Sequence, residues 1–539
     1  MNRLKIHLKL SLFAVASGVL LSLSWLPQWL VPLVFIGFVP LFYIIYEVRK
    51  EQLGAGFAFL YGYLSFLIFN VCTTWWVWNA SKGGSVAAFV LNSLLMNLPF
   101  MVLYFSNKKP SHTLIIWPFI CAWLSFEYFH FRWDGTWTWL TLGNVFANYP
   151  NLVQWYEYTG VAGGSLWILW VNKDIFNLTL HFAEWDKQSK ARHIFNLLFF
   201  KGFAVVFLSY YVLHDFRETA NLFNRMRAKV AVIQPNVDPY KDKFNGISPY
   251  QQTLNMLHLA DSIIDSTVQL VVFPETALVG GLNERFLQQE ETIFLMRQFL
   301  QRHPTVAILT GADSFKEYLE NETISETARE YDPGRFYDAY NTALFLVSND
   351  TTIGIYHKSK LVPGVERLPF SSVLKYVEKY AIDLGGTSGS LGIDKAPVTF
   401  KVNSTLSVAP IICYESIFGA YVTDYVKRNA SLLCIITNDG WWRDTPGYKQ
   451  HLAYAKLRAI ETRRFIARSA NTGISGFISD EGEILQQSKW WEPTALKQEV
   501  VLNTHLTFYS RNGDLINVVA VALTCFFLFG LFFKSKRMR

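Results

Sequence analysis

The chain has 539 residues, of which 51% are hydrophobic and only 17% are charged, and its formal net charge is +7. A soluble protein carries about 25% charged residues, so the composition excludes a wholly soluble chain and predicts that part of it lies in lipid. The long apolar runs fall in residues 1–215 and 513–533, whereas residues 228–508 have the pattern of a soluble α/β domain. We therefore attribute the basic residues to membrane topology and expect no nucleic-acid partner.

Eight apolar runs predict eight transmembrane helices, because each is close to the ~20 residues that cross a bilayer. A signal peptide would also combine Arg3, Lys5 and Lys9 with an apolar run, but further spans follow and no small-residue cleavage site is evident. We therefore interpret the first run as a span. The runs reach from the N-terminus to residue 26 and cover residues 28–47, 54–78, 84–105, 112–131, 155–176, 195–214 and 514–533.

The distribution of Lys and Arg predicts how these helices are oriented. Both termini and three alternate loops carry 14 basic residues, whereas the three short loops on the other side carry only Lys82 and Arg132. The positive-inside rule therefore places both termini in the cytoplasm, and the domain between the last two spans on the periplasmic side of a bacterial inner membrane. The 14 residues are Arg3, Lys5, Lys9, Arg49, Lys50, Lys108, Lys109, Lys187, Lys190, Arg192, Lys534, Lys536, Arg537 and Arg539.

Residues 132–163 are unusually rich in Trp, Tyr and Gly for a loop between spans. Two interpretations fit this composition. The rings form a belt at the membrane–water interface, where Trp and Tyr are enriched, or they shape an entry path for lipid beneath the soluble domain. The sequence leaves this choice open.

Residues 227–508 alternate strand-like and helical segments, which predicts two sheets packed between helix layers. We therefore divide the chain into a membrane domain at residues 1–226, the soluble domain at 227–508, and a last span with a basic tail at 509–539. The predicted strands are residues 228–234, 269–275, 305–313, 337–348, 352–362, 407–415 and 431–439. The predicted helices are residues 248–266, 285–302 and 448–471, and residues 473–485 form a hairpin that turns at Asp480-Glu481-Gly482.

Three strand-like segments each have an apolar run followed by an ionisable residue: Glu275, Lys358 and Cys413. A thiol at a strand-to-helix corner is presented to substrate beside outward-pointing backbone N–H groups. Because a cysteine attacks as the thiolate and its usual pKa is about 8.5, a base or a cation must assist it. A partly desolvated Glu275 has the raised pKa that suits a general base, and the Lys358 ammonium stabilises an oxyanion. Together the three residues predict thiol-based acyl transfer.

Each of these residues also has a structural interpretation. Cys413 is an unpaired structural cysteine, or it forms a disulfide with Cys434 on the adjacent predicted strand. Glu275 caps its strand or forms a salt bridge. Lys358 is solvated and Lys360 replaces it, since strand alternation puts both on the same face. Two further carboxylates, those of Glu366 and Glu415, either orient the lysine, hold the acyl group, or lie on the surface.

Together these segments resemble the nitrilase superfamily, whose catalytic residues are a Glu, a Lys and a Cys in this order. With the membrane spans, the resemblance extends over nearly the full length to the apolipoprotein N-acyltransferases. The family usually has Leu-Val-Pro-Phe-Gly-Glu after the lysine, whereas this chain has Leu361-Val362-Pro363-Gly364-Val365-Glu366. The matching segments are AVIQPNV, FPETAL, YNTALF, YHKSKLVPGVERLPF, ICYESIF, TNDGWW and QHLAYAKLRAIETRRFIARSANTGISGFIS.

The resemblance implies a monomeric membrane acyltransferase with a nitrilase-like αββα domain and no cofactor or metal. In the implied ping-pong reaction Glu275 deprotonates Cys413, which takes an acyl chain from a membrane phospholipid, and the resemblance implies phosphatidylethanolamine as this donor. Lys358 and the backbone N–H near Tyr414 hold the oxyanion. The α-amino group of the diacylglyceryl-cysteine of an apolipoprotein then attacks the thioester, which is the last step of bacterial lipoprotein maturation.

Trp441 and Trp442 follow Asn438-Asp439-Gly440 directly, and they line the acyl path or pack in a core or against the membrane. Two other functions remain open at this point. One is a membrane-tethered amidase of soluble substrates, in which water replaces the amine as the second nucleophile. The other is a membrane scaffold without activity, in which the Glu, Lys and Cys are incidental.

Overall fold

The computed structural model describes residues 3–26, 28–107, 113–222, 225–244, 246–367 and 390–536. Four basic residues that support the predicted topology lie outside these ranges: Lys108, Lys109, Arg537 and Arg539. The chain forms a membrane unit of residues 1–78, 82–216 and 512–539, and an α/β unit of residues 79–81 and 217–511. The short segment Asn79–Ser81 thus belongs to the α/β unit although it is distant from it in sequence.

The membrane unit is helical. Six helices in the described part of the chain are long and apolar enough to cross a membrane: Arg3–Trp25, Trp29–Lys50, Ala55–Asn79, Lys82–Ser106, Lys187–Ala220 and Leu515–Phe533. They coincide with six of the eight predicted spans and confirm a multi-span helical membrane domain. The α-helices begin and end at Arg3–Trp25, Val39–Lys50, Ala55–Thr74, Lys82–Ser106, Trp117–His130, Tyr156–Thr159, Val161–His181, Lys187–Phe195, Ala204–Leu222 and Leu515–Lys536, with a π-helix at Asn196–Phe203.

The other two predicted spans, residues 112–131 and 155–176, fall on the helices Trp117–His130 and Val161–His181. The first has 14 residues, which is shorter than the ~20 needed to cross a bilayer. The second is 21 residues long and includes Lys173 and Asp174.

Three tryptophans of the aromatic segment 132–163, Trp137, Trp139 and Trp155, are buried inside the membrane unit. Trp139 packs edge-on against Trp76, with ring centroids 4.9 Å apart. These three rings therefore belong to the core of the unit, and the interpretation as an exposed interfacial belt does not hold for them.

The α/β unit contains two sheets, as predicted. Its strands are β1 Arg227–Gln234, β2 Val268–Val272, β3 Leu278–Asn283, β4 Ala307–Glu317, β5 Arg329–Asp332, β6 Arg335–Val347, β7 Gly354–His357, β8 Phe400–Lys401, β9 Ser407–Ile412, β10 Leu432–Thr437, β11 Ile466–Ala470, β12 Gly476–Ile478, β13 Ile484–Gln487 and β14 Thr494–Val501. The first sheet has the order β14-β1-β2-β4-β6-β5, with β3 beside β4 and β7 beside β6. The second has the order β13-β12-β11-β10-β9-β8.

Apolar side chains from both sheets share one buried core, for example Val232 and Leu270 from the first sheet and Ile411 and Ile435 from the second. Each such side chain contributes roughly 1.5–3 kcal/mol when fully buried. Helices cover the outer faces, which confirms the αββα sandwich. The helices of this unit are Pro249–Asp261, Glu291–Arg302, Gly419–Lys427, Pro446–Thr462 and Phe508–Asn512, with 3-10 helices at Leu287–Gln289, Cys413–Ile417 and Asp439–Trp442.

The predicted helix 448–471 was wrong in its second half. The helix Pro446–Thr462 ends at Arg463, which has a left-handed backbone with φ +50°. The chain then forms β11, a fully buried strand between β10 and β12. A short apolar run fits a buried strand and a buried helix equally well by periodicity, so pairing with neighbouring strands decided the outcome.

Candidate active site

Cys413 lies at the corner where β9 turns into a 3-10 helix. Its φ is +51°, a left-handed conformation that costs a non-glycine residue roughly 1–2 kcal/mol. Two hydrogen bonds hold this corner. Ile412 N–H donates to the Glu415 carboxylate at 2.8 Å, and the Ser416 hydroxyl donates to the Cys413 carbonyl at 2.7 Å. The strained backbone is therefore fixed on both sides of the thiol.

Glu275, Lys358 and Cys413, hereafter the triad, come together at one place. Lys358 Nζ is 3.1 Å from Glu275 Oε1, and Asn341 Nδ2 donates to the same oxygen at 2.8 Å. Glu275 Oε2 accepts a bond of 2.9 Å from Asn438 N–H, and the Cys413 thiol lines the same cavity as this carboxylate, whose charge acts on it. The ends of β2, β7 and β9 thus meet, and the thiol lies beside a carboxylate that is paired with an ammonium.

Glu366 contacts the lysine of the triad. Its Oε1 accepts hydrogen bonds of 2.8 Å from Lys358 Nζ and 3.0 Å from Asn341 Nδ2. Its Oε2 accepts one of 2.8 Å from Val362 N–H, and Gly364 makes the intervening turn with φ +78°, where glycine is favoured. The loop that departs from the family pattern therefore still delivers this carboxylate to the lysine.

Burial and charge set the protonation of the triad. Burial raises the pKa of Glu275, but the Lys358 ammonium and the Asn341 amide outweigh burial and hold this pKa below its usual value. This result corrects the raised pKa expected from desolvation alone. Burial lowers the pKa of Lys358, but the charges of Glu275 and Glu366 raise it well above its usual value. Burial, followed by the Glu275 charge, raises the pKa of the Cys413 thiol well above its usual value. The resting site therefore holds a carboxylate, an ammonium and a neutral thiol.

The triad lines a cavity of about 170 Å³ in the α/β unit, and Trp441 and Trp442 form part of its wall. Trp441 stacks on Phe244, with ring centroids 6.3 Å apart. The Tyr414 side chain follows the nucleophile in sequence, is buried, and packs edge-on against Phe418 at 5.2 Å between ring centroids. Aromatic walls around a few polar groups are typical of sites that bind largely apolar ligands.

Glu415 is fully buried and connects two parts of the site. Besides Ile412 N–H, its carboxylate accepts hydrogen bonds from the Tyr356 hydroxyl at 2.6 Å and from Ser359 N–H at 2.7 Å. These hydrogen bonds lower the pKa of Glu415, but burial outweighs them and raises it to about 7. Glu415 therefore ties the corner of the nucleophile to the segment that follows the lysine, and we assign it a positioning role.

The structure excludes two alternative interpretations. All five cysteines are free, so Cys413 and Cys434 form no disulfide. Strand alternation does not relate Lys358 to Lys360, because β7 ends at His357. Lys358 is only 1% exposed, whereas Lys360 is half-buried with its ammonium over two aromatic rings.

A second buried network, which sequence reasoning missed, lies beside the nucleophile. Asp439 Oδ1 is 3.0 Å from His451 Nδ1, and Asp439 Oδ2 is 2.7 Å from Arg468 Nη2. His451 Nε2 lies 3.2 Å from the Cys413 carbonyl oxygen and 2.9 Å from Ser416 Oγ. Burial raises the pKa of Asp439, but the charges of Arg468 and His451 outweigh burial and lower it to about 2. The network fixes the main chain of the nucleophile.

We expect Asp439→Asn to destabilise the protein by about 3–5 kcal/mol at neutral pH, because it leaves Arg468 buried without its carboxylate. The folded-state pKa of Asp439 is depressed, so its contribution is present above the unfolded pKa of about 4 and is lost as pH falls towards about 2. Thermal unfolding in detergent should therefore show a constant deficit from about pH 5 to about pH 8 that shrinks below about pH 4. Asp444→Asn, which changes an exposed carboxylate, is the control. Equal unfolding temperatures of the two variants would contradict the prediction.

Four residues of the site were not predicted: Asn341, Asn438, Asp439 and His451. All four stand in segments that carry the family resemblance, namely YNTALF, TNDGWW and the segment that begins QHLAYAK. Asn438 and Asp439 directly follow β10, so the strand-end criterion that selected the triad would have found them. Ala80 also lines the cavity, and its sequence context gave no chemical signal.

Comparison with known proteins places this geometry in a family. The Carbon-nitrogen hydrolase family matches residues 229–505, and the Apolipoprotein N-acyltransferase N-terminal domain matches residues 17–173. An apolipoprotein N-acyltransferase of Chlorobaculum tepidum is 31% identical over 518 residues, covering 94% of this chain and 93% of the relative. An apolipoprotein N-acyltransferase of Geobacter metallireducens is 27% identical over 529 residues, covering 95% of this chain and 93% of the relative.

Among solved structures, an amidase from Nesterenkonia sp. AN1 is similar with a TM-score of 0.36 and 13% identity, covering 54% of this chain and 98% of the amidase. Nit3 of Saccharomyces cerevisiae, a member of the nitrilase superfamily, is similar with a TM-score of 0.36 and 12% identity, covering 51% of this chain and 90% of Nit3. The sequence relationship is the stronger finding, because it covers both units and more than nine-tenths of the Chlorobaculum relative. The chain therefore belongs to the apolipoprotein N-acyltransferase family, and it is an acyltransferase with a nitrilase-like domain.

Proposed function

We propose that this chain transfers an acyl chain from a membrane phospholipid to the α-amino group of the diacylglyceryl-cysteine of apolipoproteins, through a thioester on Cys413. The observation that carries the proposal is the buried triad, in which the thiol lines one cavity with a carboxylate that lies 3.1 Å from an ammonium. The names of the relatives support a lipoprotein acceptor. We further propose that phosphatidylethanolamine is the donor and that the protein acts as a monomer.

In the first half-reaction the Glu275 carboxylate accepts the thiol proton while Cys413 Sγ attacks the ester carbonyl carbon. The Lys358 ammonium, together with the backbone N–H of Tyr414, stabilises the negative charge on the carbonyl oxygen, an effect worth about 10²–10³ in rate for one such donor. The carbon–oxygen bond then breaks. Glu275 returns the proton to the departing glycerol oxygen, which releases a lysophospholipid and leaves the thioester.

In the second half-reaction the neutral α-amine attacks the thioester carbonyl carbon. Glu275, again a carboxylate, accepts a proton from the nitrogen, and the carbon–sulfur bond breaks. The proton passes from Glu275 to Cys413 Sγ, so the products are an amide and the original thiol. The low pKa of Glu275 keeps it ionised at the start of both half-reactions.

We propose that the protein lies in the bacterial inner membrane with both termini in the cytoplasm and the α/β unit on the periplasmic side. The support is the distribution of basic residues between alternate loops. The six candidate spans provide the membrane anchor, and both proposed substrates are themselves anchored in a bilayer.

The test is to incubate the detergent-solubilised protein with a phospholipid of defined acyl chains and to measure its intact mass. We expect an increase of one acyl group, which hydroxylamine removes because it cleaves a thioester. Addition of a diacylglyceryl-cysteinyl peptide should remove the same group and yield an N-acylated peptide.

A phospholipid with ether-linked chains is the matched control, since it lacks the ester carbonyl and should give no adduct. Failure to detect any hydroxylamine-sensitive adduct with the ester lipid would contradict the proposal. Release of free fatty acid at the same rate with and without the peptide would instead indicate an amidase-like hydrolase that uses water.

A further inference from the structure

Two strands of the first sheet bring a second pair of polar side chains to the cavity. Asp313 on β4 is directly opposite Asn341 on β6 in the antiparallel register. Both residues line the cavity that contains the triad. Directly opposed residues on neighbouring strands have their side chains on the same face of the sheet, so Asp313 and Asn341 present one continuous polar surface to a bound ligand.

The orientation of the Asn341 amide is fixed by the two carboxylates that it contacts. Its Nδ2 donates to Glu275 Oε1 at 2.8 Å and to Glu366 Oε1 at 3.0 Å, which only an NH₂ group is able to do. Its Oδ1 must therefore be on the other side of the amide. That oxygen is buried, and no donor in the described part of the chain reaches it.

Asp313 presents a second acceptor of the same kind. The backbone N–H groups of Gly280 and Gly281 favour the charged form of its carboxyl and lower its pKa against burial, and both glycines have positive φ, at +113° and +69°. Even so, Asp313 Oδ1 is buried and has no hydrogen-bond donor among the residues that the structure describes. Buried acceptors without a donor are uncommon in folded proteins and call for a specific explanation. Two of them in one catalytic cavity indicate a ligand that supplies N–H groups.

The charge of the cavity indicates that this ligand is a cation. Among the residues that the structure describes, three carboxylates line the cavity, those of Glu275, Asp313 and Glu366, together with the ammonium of Lys358. Lys243 is buried nearby, where its Nζ donates to the Glu275 main-chain carbonyl at 3.2 Å. Even if Lys243 is counted as charged, the carboxylates outnumber the ammonium groups by one. A primary ammonium would neutralise the excess and would supply three donors.

We propose that Asp313 and Asn341 Oδ1 form a subsite for a primary ammonium, and that its occupant is the α-ammonium of the acceptor. This inference rests on the function proposed above. An ammonium at this subsite loses one proton before it attacks, and the Asp313 carboxylate is positioned to accept that proton. Burial raises the pKa of Asp313, which makes it a stronger proton acceptor than an exposed aspartate. The second proton leaves the nitrogen during attack and goes to Glu275.

The test separates the two half-reactions in Asp313→Asn, which removes the charge and keeps the shape. We expect release of the thioester by a cysteinyl lipopeptide to slow at least about tenfold, which corresponds to the loss of one hydrogen bond to a charged group. Release by hydroxylamine, which is neutral at the assay pH, should slow much less. Formation of the acyl-enzyme is measured in parallel with phosphatidylethanolamine and with phosphatidylglycerol, because the ethanolamine headgroup is the other primary ammonium available.

Asp338→Asn is the matched control, because Asp338 is a buried aspartate on β6 that accepts hydrogen bonds from Ser325 and Thr327. If release of the thioester by the lipopeptide and by hydroxylamine slows equally, or if neither slows, the proposal is overturned. Slower acylation by phosphatidylethanolamine but not by phosphatidylglycerol would overturn the assignment to the acceptor and place the donor headgroup at this subsite. Failure of the proposed function would differ from all of these, since the wild-type protein would then form no thioester.

Discussion

Replacing Cys413 by alanine is expected to abolish the acyl-enzyme and to lower the rate of acyl transfer by at least about 10⁴-fold. The covalent intermediate requires the sulfur, and the Cys413 thiol lines the cavity together with the Glu275 carboxylate and the Lys358 ammonium. Alanine retains a Cβ and therefore the same strained φ of +51°, so the unfolding free energy should change by only about 1 kcal/mol. Intact mass and single-turnover transfer to a lipopeptide measure the two effects.

Cys434→Ala is the matched control for this variant. Cys434 lies on β10 and is fully buried, and burial raises the pKa of its thiol far above the usual value. It should therefore form no thioester, and its replacement should leave the acyl adduct of the protein in place. Detection of an adduct on the Cys413→Ala protein, at any residue, would show that the nucleophile has been assigned wrongly.

Replacing Lys358 by methionine is expected to lower the rate of acyl-enzyme formation by at least about 10²–10³-fold and to destabilise the fold by about 3–5 kcal/mol. The first effect is the loss of the charge that stabilises the oxyanion. The second arises because Glu275 and Glu366 lose the ammonium that compensates both of them. Since the pKa of Lys358 is raised, its stabilising effect is fully present below about pH 10, so the loss should appear throughout the neutral range.

The dependence of activity on pH distinguishes a catalytic effect from a general loss of structure. In the wild-type protein the Lys358 ammonium keeps the pKa of Glu275 low. Without this ammonium burial dominates, so the pKa of Glu275 should rise and the base should be protonated at neutral pH. The residual rate of acyl-enzyme formation in Lys358→Met should therefore increase with pH, measured below the unfolding temperature of the variant.

Lys360→Met is the matched control, because Lys360 is half-buried and its Nζ lies over the rings of Phe418 and Tyr421. It should retain activity and change stability by roughly 0.5 kcal/mol or less. If Lys360→Met loses as much activity as Lys358→Met, the assignment of the lysine is wrong. If Lys358→Met has the pH profile of the wild-type protein, the lysine does not control the pKa of Glu275.

Much of the site was accessible from local sequence because Glu275, Lys358 and Cys413 each come at the end of an apolar strand-like run. Such runs identify buried strands, and an ionisable residue after them is unusual. The same reasoning failed for residues 463–471, which form a turn and a buried strand instead of continuing a helix. It also failed for the relation between Lys358 and Lys360, because the strand is shorter than its pattern indicates.

The sequence by itself determined a multi-span membrane domain and the two-sheet class, and it predicted the triad, because hydropathy, periodicity and strand-end chemistry are properties of contiguous residues. Only the tertiary structure decided that Asn341 joins Glu275 to Glu366, that Asp439 and His451 support the nucleophile, and that Asp313 faces the same cavity. These contacts join residues that are distant in the chain. They depend on strand order and register, which no local pattern encodes.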